Sequence, residues 1–281
     1  GIWQNWFWWN LLMGSLLGVF LFSRLWRRAE VITDNELLEI RYSGKPAAFL
    51  RAFKAGYFSI LYNFIVMGWV INAMASVVSV MLDMDKWTAV WLCVVIALVY
   101  AILSGFWGVV ITDLVQFCIA MFGSIALAII ALDHVGGMDK LLGKLSQMLG
   151  TDAIHENTLK FIPPIPDADL TSTLFWESPF SKFLIFITVM WWSHHGTDGG
   201  GYIIQRMSSA KNERHALLAT LWFNLAHYAL RVWPWIIVAV VSIVMFPMIP
   251  EAYSELGVKA GYPLVMNTLL GPGLKGILIV S

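Results

Sequence analysis

MWWSHHGTDGGGYIIQR fills residues 190–206 and continues directly from the apolar run FLIFITV at 183–189. Two histidines, an aspartate and three successive glycines therefore fall inside a segment otherwise apolar enough to cross a bilayer. Each of Gly199, Gly200 and Gly201 lowers helix stability by about 1 kcal/mol relative to alanine. Backbone groups left unpaired in lipid cost several kcal/mol more. The stretch thus predicts a membrane helix interrupted near Asp198, with the glycines as a hinge and the gap wrapped in protein around a polar cavity. The same glycines also suit close helix packing, and the polar residues an internal hydrogen-bond network without a ligand.

Composition supports a membrane setting for that segment. Apolar residues make up 59% of the 281 and charged residues 13%, with 15 tryptophans, a profile outside that of soluble domains. A helix needs about 20 mostly apolar residues to cross the hydrocarbon core. Spans are predicted at 6–25, 57–82, 87–103, 109–132, 180–202 and 216–246, with another starting at 273. The fold class is all-α, a polytopic membrane helix bundle forming a single domain over residues 1–281. Residues 26–56 form an inner loop, in which TDNELLEIRYSG (33–44) reads as a short surface helix. Residues 133–179, with PPIPD at 163–167, form an outer loop. Cys93 and Cys118 read as buried thiols rather than a disulfide framework. The first residue is Gly1 and the last ones, LKGILIVS, lie within an apolar run, so the chain is expected to be a fragment.

Charge placement sets the orientation, because the 18 basic and 18 acidic residues balance overall and point to no nucleic-acid partner. If 6–25 enters from outside, the inner connections carry ten Lys/Arg against five acids, and the outer ones seven Lys against eleven acids. That asymmetry satisfies the positive-inside rule. Trp3, Trp6, Trp8 and Trp9 then belong to an outer interfacial belt. A multi-pass protein of the plasma (cytoplasmic or inner) membrane is expected, with the lipid bilayer and a small-molecule solute as partners. Its oligomeric state is unspecified.

Ionisable groups inside membrane segments are expensive and mark candidate sites. Ser193, His194, His195 and Asp198 are candidate substrate contacts. Thr112, Asp113 and Gln116 share one helical face and suggest a cation route at an inward vestibule. A carboxylate there would equally complement the helix dipole. Arg231 lies mid-span three residues before Pro234, which removes a backbone bond and kinks the helix; it reads as a structural ion pair, with Asp198 a candidate counter-ion. Asn10, Asn63 and Asn72 suggest interhelical hydrogen bonds, and Asn63 is kept as a candidate substrate contact.

Three segments together resemble the sodium/solute symporter family of sodium-coupled sugar, proline and pantothenate carriers. They are SGFWGVVITDLVQF (104–117), YIIQRMSSAKNERHA (202–216) after the predicted break, and ITDNELLEIRYSGKPAAFLR (32–51). The resemblance covers nearly the whole chain. It implies part of a five-plus-five inverted-repeat, leucine-transporter-like core working by alternating access, with the six spans matching core helices two to seven. Core helix one, which shares the family's sodium site with core helix eight, would then lie outside the chain. On this resemblance Asp113 matches the aspartate associated with the ion's inward path, and Tyr202 the aromatic position beside the substrate cavity. Gly200 and Gly201 replace polar residues found there in the sugar carriers.

The expected function is sodium-coupled symport of a small polar solute, with Na+ as the co-transported ion and no enzymatic activity. Proton coupling through His194 or His195 is the near alternative, because histidine titrates close to neutral pH. A membrane metalloenzyme using HHGTD is the more distant one. Six histidines, three of them in predicted loops, leave too few ligands for such a site; no metal is expected. A channel or structural subunit would instead pass solute without saturation, or not at all.

Overall fold

The computed structural model describes residues 1–150, 158–194 and 196–280. Among them every regular element is helical. The elements are α1 (Ile2–Ala29), α2 (Glu36–Arg41), α3 (Gly44–Leu82), α4 (Lys86–Val135), α5 (Met138–Leu149) and α6 (Thr173–Glu177). Then follow α7 (179–193), α8 (Gly200–Ser208), α9 (Glu213–Met245), α10 (Gly261–Leu269) and α11 (Pro272–Val280). Among the described residues four stretches are long and apolar enough to cross a membrane: Ile2–Ala29, Gly44–Leu82, Gly105–Val135 and Glu213–Met245. Trp87–Val99 is a shorter apolar helix.

Several expected boundaries move, each for a readable reason. The inner loop 26–56 is mostly helix, because α1 runs on to Ala29 and α3 begins at Gly44, with Pro46 in its first turn, where a missing amide costs nothing. Only residues 30–35 remain as a strap before α2. The outer loop 133–179 contains α5, whose Leu141 and Leu145 are buried one turn apart. Cys118 is exposed at the protein surface and Cys93 half-buried, both as free thiols, so neither is the buried thiol expected.

Side-chain caps set the starts. Asp85 accepts from the amides of Trp87 and Thr88 at 3.0 and 3.3 Å. Ser178 accepts from Ser181 at 3.2 Å ahead of Pro179, and Asn212 from His215 at 3.0 Å. The expected 180–202 span is two helices, α7 and α8, with non-helical backbone between them.

The chain divides into two compact units. The first comprises Gly1–Ser59 and Leu149–Leu230. Here α1 packs against α7, α8 and the first half of α9, over a core of Trp26, Val31, Ile204, Met207 and Ala216. The second comprises Ile60–Met148 and Arg231–Ser281, where α4 packs on the later parts of α3 and α9 and on α11. Its core includes Ala75, Val78 and Ala89, with a second cluster at Val80, Ala260 and Leu264.

Within α4 the helix is interrupted at one residue, Gly105, with φ 58° and ψ −176°, where the sequence predicts a very short connection between spans. Only glycine occupies that region without strain. Gly105→Ala is expected to cost about 1–3 kcal/mol, measured as a lowered thermal midpoint of the purified full-length protein.

Candidate functional site

The interruption in the first unit is built from a helix that stops at Ser193 and another that starts at Gly200. The first, α7, widens into π turns over Phe186–Met190 and ends at Ser193; His194 leaves it in an extended conformation, with φ −70° and ψ 129°. Gly199 follows with φ 117° and Gly200 with φ 58°. An added methyl at Gly199 would also sit 2.4 Å from the Met207 side chain, whereas one at Gly200 would meet nothing within 4 Å. Gly201 has ordinary helical backbone. The hinge geometry therefore resides in the first two glycines of the triplet.

Several described backbone groups of this gap are paired. Ser193 donates its hydroxyl to the Met190 carbonyl at 3.1 Å. Thr197 donates its amide and its hydroxyl to the His194 carbonyl at 3.1 and 2.7 Å. Gly199 donates to the Gly196 carbonyl at 2.9 Å, and Gly200 to an Asp198 carboxylate oxygen at 3.1 Å. That last bond uses the carboxylate as a cap on the first turn of α8. Gly196 donates its amide to His194 Nδ1 at 3.1 Å, so this ring nitrogen is an acceptor. His194 and Ser193 are exposed and Asp198 half-buried; His195 lies outside the described residues.

Helix α1 closes the gap from one side. An added methyl at Gly14 would come 2.8 Å from the Trp191 carbonyl oxygen and 3.2 Å from the Thr197 hydroxyl, and one at Gly18 3.6 Å from the Thr197 carbonyl oxygen. The spacing is the small-x-x-x-small pattern that lets membrane helices approach. About two turns beyond Gly18, the Trp26 indole N–H donates to the Asp198 carbonyl at 3.0 Å. Arg27 donates to the Ala210 carbonyl at 2.6 Å, and Arg28 pairs in a fork with Glu213, both contacts at 3.0 Å. In the strap, Asp34 accepts from Lys54 at 2.7 Å and lies beside Gly201. Sequence reasoning missed Gly14, Gly18, Trp26 and Asp34. The Gly14/Gly18 spacing was the one available signal, and nothing in the sequence marked the other two.

Tyr202 stands on the first turn of α8. Its hydroxyl accepts from Arg206 at 2.6 Å, and the guanidinium lies 3.5 Å from the ring centroid, a cation–π contact. The remaining candidates belong to the second unit. Thr112, Asp113 and Gln116 are half-buried, while Ile111, Leu114 and Val115 are exposed, so the three share the inward face of α4. Thr112 donates its hydroxyl to the Gly108 carbonyl at 2.8 Å. Asn63 is exposed at the point where π turns over Tyr57–Tyr62 give way to α-helix. Arg231 lies 4.5 Å over the Trp235 ring. Pro234 has no amide for the Leu230 carbonyl, and α9 widens into π turns over Leu225–Leu230. Among the described residues no group of three or more His, Cys, Asp or Glu is arranged to hold a metal ion.

In comparison with known proteins, residues 1–280 match the sodium:solute symporter family. The chain is 28% identical over 298 residues to sodium/glucose cotransporter 1 of Sus scrofa, covering 99% of this chain and 44% of that protein. To the same cotransporter of Oryctolagus cuniculus it is 27% identical over 302 residues, with 99% and 44% covered. To a sodium/mannose cotransporter of Bos taurus it is 24% identical over 290 residues, with 96% and 46% covered. The chain thus spans less than half the length of these relatives.

The two classes of glycine in the triplet separate in a stability assay. Gly199→Ala meets a left-handed backbone and the Met207 methyl, and the backbone term alone, about 1–2 kcal/mol, lowers the thermal midpoint by about 2–8 °C. Gly201→Ala is expected to leave it within about 1 °C or raise it, as a helical alanine does.

Proposed function

Because the chain belongs to the sodium:solute symporter family, a family of transporters and not of enzymes, we propose that it forms part of a sodium-coupled carrier moving a small polar solute by alternating access. The observation that carries this reading is the interrupted helix at 194–199. A gap of that kind inside a membrane segment persists where it borders a solute or ion pathway. In this reading Ser193, His194, Asp198 and Tyr202 contact or gate the solute, with His195 and Asn63 as further contacts. Asp113, Thr112 and Gln116 lie on the ion route, and Arg231 is a structural cation within the protein. Na+ shifts the carrier toward its outward-open state by binding that state more tightly, the one way a ligand moves such an equilibrium.

The relatives' names make a monosaccharide the first solute class to test. Gly200 and Gly201, standing where sugar carriers have polar side chains, favour a solute that takes fewer hydrogen bonds from this turn. Proton coupling is the second reading, resting on His194 at the end of α7. Its Nδ1 accepts from Gly196, a bond that protonation at that nitrogen would abolish, and sodium coupling is preferred for that reason.

The deciding measurement is uptake into vesicles containing the full-length protein, screened over sugars, amino acids and carboxylates under a sodium or a proton gradient. Saturable accumulation that collapses with the sodium gradient is expected; uptake that follows the pH gradient alone overturns sodium coupling. Gly200→Leu is expected to reach the membrane in normal amounts and lose uptake, because its side chain fills open space while straining a φ of 58°. Asp113→Asn is expected to raise the sodium concentration for half-maximal uptake about tenfold, the equivalent of ~1.4 kcal/mol. An unchanged sodium response removes Asp113 from the ion route.

A further inference from the structure

The strap at residues 30–35 does more than join α1 to α2. Glu30, with φ 53°, ends α1 in left-handed backbone, and the Ile32 amide donates to a Glu36 carboxylate oxygen at 2.7 Å. Held in this way, the strap meets α8 at two points. Val31, 4% exposed, packs in one cluster with Ile204 and Met207. Asp34 Oδ1 lies 3.6 Å from where a methyl on Gly201, in the first turn of α8, would stand.

The other oxygen of Asp34 faces α3. Oδ2 accepts from Lys54 Nζ at 2.7 Å, the two side chains being 19% and 31% exposed. Lys54 belongs to one face of α3 with the buried Ala47 and with Arg51, which pairs with Glu39 of α2. A single carboxylate thus stands between α3 and α8. An ion pair exposed to this degree adds little to stability, so a modest bias releases it, whereas a permanent brace would be built from buried apolar contacts. Helix α8 is the half of the interrupted helix that leads from the joint to the inner connection, so opening the joint inward displaces α8 from the strap.

We propose that residues 30–35 form an inner latch on α8, with Asp34 as the clasp and Lys54 as the residue that aims it. The latch rests on the carrier reading, in which α8 moves during the cycle. Closed, it holds α8 in the outward-open arrangement, which Na+ also favours. Na+ therefore closes the latch without touching it, and loss of the latch weakens Na+ binding; the two effects are one coupling.

The test needs no solute. Full-length protein in detergent is titrated with NaCl against choline chloride at equal ionic strength and read as a thermal midpoint, since an ion bound to the folded state stabilises it. Asp34→Asn and Lys54→Gln are each expected to raise the NaCl concentration for half-maximal stabilisation by about threefold or more. The double variant is expected to go no further than either, because both changes break one contact. Lys54→Arg, which keeps the charge, is expected to stay within about twofold of the parent. Single variants with a lower midpoint but the parent's sodium titration show a structural role only and overturn the latch, as do additive shifts. A parent that NaCl stabilises no better than choline chloride overturns sodium coupling and the latch with it; a parent that titrates beside single variants that titrate identically overturns the latch alone. Should a variant fail to fold, hydrogen exchange of the parent decides. Amides of 31–35 that exchange about threefold or more slower in NaCl than in choline chloride support the latch, and equal rates in a protein that NaCl stabilises refute it.

Discussion

A backbone amide or carbonyl inside a bilayer has no water to turn to, and the interruption around Asp198 depends on the partners that its described polar groups find. Some partners are local, as where Thr197 folds back on His194 and Asp198 caps Gly200. The decisive one is distant: the Trp26 indole reaches the Asp198 carbonyl from 172 residues away. The gap is therefore less a pause in a helix than a joint between α7 and α8 whose free valences are assigned in advance. That arrangement suits a carrier, in which a site must rearrange without ever stranding polar groups in lipid.

The close approach needed for this pairing explains the residues of α1. Its Gly14 and Gly18 present a bare strip to the backbone of the joint, and beyond them the same helix becomes large and basic. Trp26, Arg27 and Arg28 engage Asp198, Ala210 and Glu213 in turn. One helix thus supplies space at the joint and anchors beyond it, and α8 is held at both ends against α1. Exposed arginine pairs contribute little by themselves. The buried tryptophan, 7% exposed within an apolar cluster, supplies most of the hold.

Polar residues in this chain divide by how they meet their needs. Thr112, Ser193 and Thr220 turn their hydroxyls onto their own helix, which makes them compatible with an apolar span. Asp113, Arg231 and Tyr202 are larger investments in the sense that their charge or ring must be accommodated by neighbours, and Arg206 over Tyr202 and Trp235 under Arg231 are two such accommodations. Asn10 and Asn224 stand between these groups, with one end satisfied internally and the other directed away from it.

The sequence by itself determined the class of molecule and the existence of the joint. Hydrophobic runs long enough for a bilayer force helices, because only local pairing satisfies their backbone, and three consecutive glycines beside an aspartate cannot continue one at no cost. Those signals are local, so they survive without coordinates, and so does the family likeness carried by 104–117 and 202–216. Boundaries were less legible: α5 in the outer loop is clearly amphipathic but too short and polar to register as a span, and the start of α3 in the inner one carries a weaker pattern. Only the tertiary structure decided that Gly199 and Gly200 hold the left-handed backbone while Gly201 is helical, since φ depends on where the chain must go next. It alone assigned Trp26 to the Asp198 carbonyl and set Gly14 against Trp191. Contacts between residues so far apart in the chain follow from how helices pack, which no local pattern encodes.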